Sequence, residues 1–275
     1  MSSHVLMCEP VHYQIAYEIN PWMRRSNAVD RPRAASQWRL LYEALAALGV
    51  RIELVPQGPE VPDMTFTANA GIVSGRHFFP ANFRFPERQP EATRFVRWFR
   101  EQGYSVESVH EPHYWEGEGD VLPANGRVFA GYRWRTELRA IDHLDELLDT
   151  SIVRLELVDP RFYHLDTCFC PLGGGSALYY PPAFSAESRV LLDAHFDDLI
   201  AVDEQDALRF ACNALVVNDA VVLNTGCRAT TAALQERSLR AVEVPTDELI
   251  KAGGSVKCLV LTLDRYSTPS GSPSA

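Results

Sequence analysis

The sequence predicts an α/β protein assembled from five copies of one unit. Helical periodicity recurs in Ala35–Leu48, Pro90–Gln102 and Arg135–Asp149, and less cleanly in Ser185–Phe196 and Thr230–Arg240. A β-rich stretch follows each of them. A polar residue then returns at the same point of each unit: Asn69, Glu116, His164, Asn213 and Cys258, at gaps of 47, 48, 49 and 45 residues. Ordinary helix–strand alternation explains the spacing of elements but not the return of a polar residue at one point in each. A period in the high forties suggests a ring or propeller-like assembly. Such a ring would gather Asn69, Glu116, His164 and Cys258 into one central pocket.

The strands are expected at Arg51–Val55, Ser105–Val109, Ile152–Val158, Leu199–Val202 and Ala241–Val244. Each leads through a short polar segment into further apolar β sequence: TANAGIV, WEGEGDVL, YHLDTCF, ACNALVV and SVKCLVL. The stretch 57–63 is rich in turn residues and reads as a loop. No linker or composition shift divides the chain, so residues 1–266 are expected to form a single domain. The Ser/Pro-rich residues 267–275 are expected to be a flexible tail.

Composition narrows the function. With 46% hydrophobic and 23% charged residues the chain is that of a soluble globular protein. Its net charge of −10 argues against nucleic acid or an anionic membrane as partner and mildly favours a cationic small molecule. No apolar run reaches the ~18 residues of a membrane span, and the N-terminus has no visible secretory signal. Cys8, Cys168, Cys170, Cys212, Cys227 and Cys258 include no CxxC pair. Reduced thiols and a cytoplasmic location are therefore expected.

A thiol, an imidazole and a carboxylate at recurring positions are the groups needed for nucleophilic catalysis at an sp² carbon. Cys258 follows Gly253-Gly254, where backbone can approach a substrate closely, and is expected to start a strand. His164-Leu165-Asp166 is expected to place two polar groups on one strand face. Glu116-Gly-Glu118-Gly-Asp120 is expected to hold three carboxylates on one face of an extended segment, which calls for a nearby cation such as a guanidinium. No HExxH occurs, so neither metal nor cofactor is expected.

Together and in order, Asn20-Pro-Trp-Met23, the segment from Pro62 to Asn69, Glu116–Asp120, His164–Thr167 and Gly253–Cys258 resemble the guanidine-modifying superfamily. These are the pentein-fold arginine deiminases, dimethylarginine dimethylaminohydrolases, arginine dihydrolases and amidinotransferases. The resemblance spans nearly the whole chain. It implies a five-bladed α/β propeller (pentein) of ββαβ repeats with pseudo-fivefold symmetry. It also implies Cys258 as nucleophile, His164 as general acid/base and Glu116 as the carboxylate paired with His164 and the substrate guanidinium. Glu118 is the neighbour that could share that role. Asp166 corresponds to the second acid of the deiminase HLDT motif. Phe66 would lie against the guanidinium plane, and Arg84 and Arg135 would hold the substrate α-carboxylate.

The chain departs from some of these relatives in ways that bear on substrate. Dimethylarginine hydrolases usually have HLKS where this chain has HLDT, and Glu-Asp in place of Ala68-Asn69; arginine deiminases place Asp at position 69. Asn69 together with Asn20 resembles the arginine dihydrolases. An amide can donate to a ureido oxygen or accept from a guanidinium N–H, and so tolerates both. The expected activity is a cysteine hydrolase of arginine-like guanidines acting through an S-alkylthiouronium, and taking arginine to ornithine, ammonia and carbon dioxide. Dimethylarginine hydrolysis, amidino transfer and a non-catalytic binding propeller follow as alternatives, in that order. The expected partner is arginine or a methylated arginine, and self-association into an oligomer is left open.

Overall fold

A computed structural model describes residues 4–107 and 112–263. β1 (His4–Met7), α1 (Arg31–Ala47) and β2 (Arg51–Leu54) come first, with β2 parallel to β1. The hairpin β3 (Gly71–Ser74) and β4 (His77–Pro80) is followed by α2 (Gln89–Glu101) and by β5 (Ser105–Val106), parallel to β4. The same order recurs in β6 (Val121–Ala124), β7 (Arg127–Tyr132), α3 (Leu138–Leu147) and β8 (Ile152–Glu156). It recurs again in β9 (Phe169–Gly173), β10 (Ser176–Tyr179), α4 (Ala186–His195) and β11 (Asp198–Ala201). A short α5 (Glu204–Ala207) precedes β12 (Leu215–Val217), β13 (Ala220–Asn224), α6 (Arg228–Glu236) and β14 (Arg240–Val244). After α7 (Asp247–Ile250), β15 (Leu261–Thr262) pairs antiparallel with β1, placing Val5 opposite Thr262 and Leu6 opposite Leu261.

Among the described residues the result is five three-stranded sheets, each an antiparallel pair extended by one parallel strand. A parallel neighbour cannot be reached by a tight turn, and in every unit a helix makes the crossover. The helices bury one stripe: Phe95, Trp98 and Phe99 in α2, and Ala140, Ile141 and Leu144 in α3. Asp30 caps α1 by accepting from the Arg33 N–H at 3.0 Å, and Ser185 caps α4 by accepting from Ser188 N–H at 3.2 Å. Between β6 and β7 the two-residue loop Asn125-Gly126 has φ of 50° and 71°, the conformation that matches strand twist in a hairpin.

Local differences from the sequence expectation concentrate at the polar markers. The residues from Leu165 to Thr167, Gly117 to Gly119 and Lys257 to Leu259 form 3-10 turns, not strands. In the first, the Thr167 hydroxyl and N–H both donate to the His164 carbonyl, at 2.6 and 3.2 Å, which closes the turn. In the second, Gly117 takes a φ of 58° that an extended segment would not have. The helix expected from Arg135 begins at Leu138, leaving Arg135 in the loop before it. The predicted strand ending at Val109 and the tail at 267–275 run into residues outside the described ones. Turns from separate units pack on one another, bringing the markers together. Among the described residues, no helix is long and apolar enough to cross a membrane.

Candidate active site

Cys258 sits in the turn after Gly253-Gly254, 2% exposed, with two polar groups on its sulfur. Asp166 Oδ2 lies 3.2 Å from Sγ and accepts from the thiol; the Asn213 amide donates to Sγ at 3.1 Å. Burial, and next the Asp166 carboxylate, push the thiol well above its ordinary pKa. Burial likewise raises Asp166 to about 7, against the pull of the Lys257 ammonium. Both shifts favour the proton lying between sulfur and carboxylate, with Cys258 as a thiol.

His164 and Glu116 form a second buried pair, Nε2 to Oε2 at 2.8 Å. Arg135 donates to the same carboxylate oxygen at 2.9 Å, and the Arg84 backbone N–H donates to Oε1 at 3.2 Å. Burial alone would raise Glu116, but Arg135 and the hydrogen bond from His164 outweigh it and hold the carboxylate well below the usual range. Burial lowers His164 to about 4 despite Glu116, so the imidazole is neutral at neutral pH. Asp120 supports this pair from behind. Its oxygens accept from the Thr136 hydroxyl at 2.6 Å and the Leu165 N–H at 3.1 Å, and Thr136 Oγ1 also accepts from the Glu116 N–H at 3.2 Å.

A cavity of about 240 Å³ opens onto Cys258. Asp63, Asn69, Arg88, Arg135, Phe66, Tyr163 and Gly253-Gly254 are among the residues that line it. The glycines are spatial requirements. A Cβ on Gly253, whose φ is 85°, would meet Tyr163 Oη at 2.8 Å, and one on Gly254 would meet Phe66 Cε1 at 2.4 Å. The cavity thus brings two guanidinium groups, a buried carboxylate and a thiol into one lining.

The family model for "N,N dimethylarginine dimethylhydrolase, eukaryotic" matches residues 14–265. The chain belongs to this family. It is 43% identical over 270 residues to the bifunctional arginine dihydrolase/ornithine cyclodeaminase ArgZ of a Synechocystis species, covering 96% of this chain and 38% of that protein. It is 40% identical to the N(G),N(G)-dimethylarginine dimethylaminohydrolase of Mycobacterium tuberculosis, covering 94% of this chain and 84% of that one. The chain therefore spans a little over a third of the bifunctional relative and most of the mycobacterial one. The solved N-terminal domain of ArgZ bound to its substrate has a TM-score of 0.92 at 40% identity, covering 96% and 99% of the two chains. Membership of the guanidine-modifying superfamily, expected from the motifs, is thus found.

Within this family member, the structure brings Cys258, Asp166, Phe66, Asn69, Asn20, His164, Glu116 and Arg135 into and around one site. His164 and Asp166, expected on one strand face, instead reach different partners across a turn, Glu116 and Cys258. The three carboxylates of 116–120 also diverge. Glu116 faces His164 and Arg135, and Asp120 faces Thr136. Glu118 is buried against Lys257 Nζ at 2.9 Å and the Thr262 N–H at 3.1 Å, away from the cavity lining. Asn20 lines the cavity while its oxygen accepts from the N–H groups of Trp22 and Met23 and its amide donates to the Ala252 carbonyl. Arg84 is partly exposed and points its guanidinium toward the Tyr114 ring, 6.0 Å away; it does not line the cavity.

Arg88, and not Arg84, lines the cavity together with Arg135. It is buried and donates to Asn69 Oδ1 at 2.8 Å and to both oxygens of Glu91 at 2.8 and 2.9 Å. The signal in the sequence was Arg88-x-x-Glu91 at the entry of a helix, a spacing that places the two side chains side by side. Asp63, Tyr163 and Asn213 were also missed as site residues. Asn213 was visible only as the fourth marker of the repeat.

Proposed function

We propose that this chain is an arginine dihydrolase whose five sheets are the blades of a five-bladed α/β propeller with pseudo-fivefold symmetry, forming one catalytic domain over residues 1–266. The observation that carries the substrate reading is the amide of Asn69. Arg88 can only donate, so its hydrogen bond fixes Oδ1 toward the guanidinium, and Nδ2 is left buried, at the cavity, with no partner among the described residues. A free N–H donor suits the oxygen of a ureido group, the product of a first hydrolysis and the substrate of a second. An aspartate there would offer no such donor.

The chemistry follows from the charges. An arginine enters with its α-carboxylate toward Arg135 and Arg88 and its ammonium toward Asp63, and its guanidinium lies between Phe66 and Asp166. The cation draws the Asp166 carboxylate away from sulfur and favours the thiolate. Neutral His164 takes the thiol proton, with Glu116 stabilising the imidazolium. Sulfur attacks the guanidinium carbon, and His164 returns the proton to the departing nitrogen, releasing ammonia. Water, deprotonated by His164, attacks the S-alkylthiouronium and expels the thiolate, leaving citrulline. A second round at the ureido carbon gives ornithine, a second ammonia and carbon dioxide, with two waters consumed per arginine. The neutral base is what the lowered His164 pKa provides, and the depressed Glu116 is what keeps its proton mobile.

A second reading, hydrolysis of methylated arginine, is favoured by the family model and by the mycobacterial relative. Product analysis after separate incubation with arginine and asymmetric dimethylarginine distinguishes the two, with a Cys258→Ser control. Ornithine with two ammonia per arginine supports the dihydrolase. Citrulline and dimethylamine from the methylated substrate alone transfers the assignment to the second reading. No turnover of either would overturn both.

A further inference from the structure

We infer that Asn213 is a catalytic residue: its side-chain N–H is a fixed donor to the Cys258 sulfur, stabilising the thiolate both as nucleophile and as leaving group. This rests on the reading of Cys258 as the nucleophile. Asn213 is fully buried, and all four of its hydrogen-bonding positions are used. Oδ1 accepts from the backbone N–H groups of Ser255 at 3.1 Å and Cys258 at 3.2 Å. Nδ2 donates to the Asp166 carbonyl at 3.0 Å and to Cys258 Sγ at 3.1 Å. The orientation of the amide is therefore decided chemically, because backbone N–H groups can only donate and must face the oxygen. The Asn213 carbonyl also accepts from Lys257 N–H at 3.2 Å, so one residue holds the turn that carries the nucleophile on three of its N–H groups.

The two neighbours of sulfur do opposite things. Asp166 accepts from S–H and favours the thiol, whereas the Asn213 N–H binds best to S⁻, since a hydrogen bond strengthens when its acceptor is charged. When a guanidinium occupies the site, Asp166 has a new partner, while Asn213 has nowhere else to turn. Its donor stays on the sulfur through attack and is strengthened again when the thiolate is expelled at the end of each round. No other described side-chain donor is hydrogen-bonded to that sulfur.

The test reads the thiol without needing turnover. The rate of Cys258 alkylation by iodoacetamide is followed against pH in the wild type, in Asn213→Ala and in Asn213→Asp. The aspartate keeps the two backbone acceptor contacts but replaces the donor with a carboxylate. Both variants are expected to move the alkylation profile up by about one to two pH units, the value of one hydrogen bond to a charged acceptor. Asn213→Asp places an acceptor against the Asp166 carbonyl and is expected to be less stable than the wild type, so alkylation is read below the melting transition that calorimetry gives for each variant. A profile unmoved in either folded variant, with turnover nonetheless reduced, would make Asn213 a structural bracket and overturn the inference. Should both variants fail to fold, the wild type still decides. Its Asn213 side-chain amide proton resonance is expected to shift as Cys258 titrates and to lose that shift in Cys258→Ala; an insensitive resonance refutes the donor. Normal alkylation behaviour with no turnover of any guanidine would instead count against the proposed function and leave the Asn213 contact standing.

Discussion

Replacing Gly254 by alanine adds one methyl group where the cavity wall has no room for it. That carbon would lie 2.4 Å from Phe66 Cε1, 2.6 Å from Cδ1 and 3.2 Å from Cys258 Cβ. Carbon atoms rest at roughly 3.5–4.0 Å, so the ring must withdraw by about 1 Å or more. It has little freedom to do so, being buried with its face or edge against Tyr13, ring centroids 5.9 Å apart. Overpacking of this kind costs about 1–3 kcal/mol. For a chain of this size that lowers the melting temperature by about 2–4 °C per kcal/mol. The chemical effect is expected to be larger, because a displacement of about 1 Å at a reacting centre costs on the order of 100-fold in rate. Calorimetry and steady-state kinetics on Gly254→Ala measure both, and Phe66→Leu in the same chain should restore the melting temperature but not the rate. Wild-type stability and turnover in Gly254→Ala would refute the view that a bare backbone is needed beside the ring.

Other outcomes follow from single contacts. Asn69→Asp removes the free N–H donor, so arginine turnover should stop at citrulline, with ammonia falling from two per arginine to one in a stoichiometric assay. Lys257→Met leaves the buried Glu118 carboxylate without its ammonium and should cost about 3–5 kcal/mol in urea unfolding. The pair Lys257→Met with Glu118→Gln should recover most of that, and equal losses in both would show that the ion pair is not what matters. Because burial lowers His164 to about 4 from an unperturbed 6.5, its contribution to stability is present above about 6.5 and is lost as pH falls toward 4. Proton NMR of the His164 ring should show its midpoint near that lower value, and a midpoint at or above 6.5 would contradict it.

The repeat was readable because each unit must bury the same faces: a helix stripe such as Phe95, Trp98 and Phe99, and a hairpin such as β12–β13, leave a periodic trace in the sequence. The polar markers were readable for the same reason, since they fall between one strand and the next hairpin. Their local geometry was not. His164-Leu165-Asp166 alternates polar and apolar as a strand does, and only the Thr167 hydroxyl on the His164 carbonyl turns it into a bend that separates the two side chains. Glu118 lies between two glycines and looks equivalent to Glu116 until Lys257, far along the chain, claims it. Arg88 was hidden by its neighbours Glu87 and Gln89, both exposed, which make the segment look like a solvated helix start. A cation whose partners are Asn69 and Glu91 is distinguishable from a surface arginine only once the fold has placed them.

The pairing of β15 with β1 joins positions more than 250 residues apart, Val5 with Thr262 and Leu6 with Leu261. Cys258 lies only three residues before that strand. Every other marker is flanked by strands of its own neighbourhood, but the turn of Cys258 is anchored downstream by a strand paired with β1. Among the described residues, four of the five sheets are built from contiguous sequence, and only the sheet of β15, β1 and β2 joins distant parts of the chain. Weakening the β1–β15 pairing is therefore expected to loosen the turn of Cys258 while leaving the other four sheets intact, a difference that amide hydrogen exchange would read.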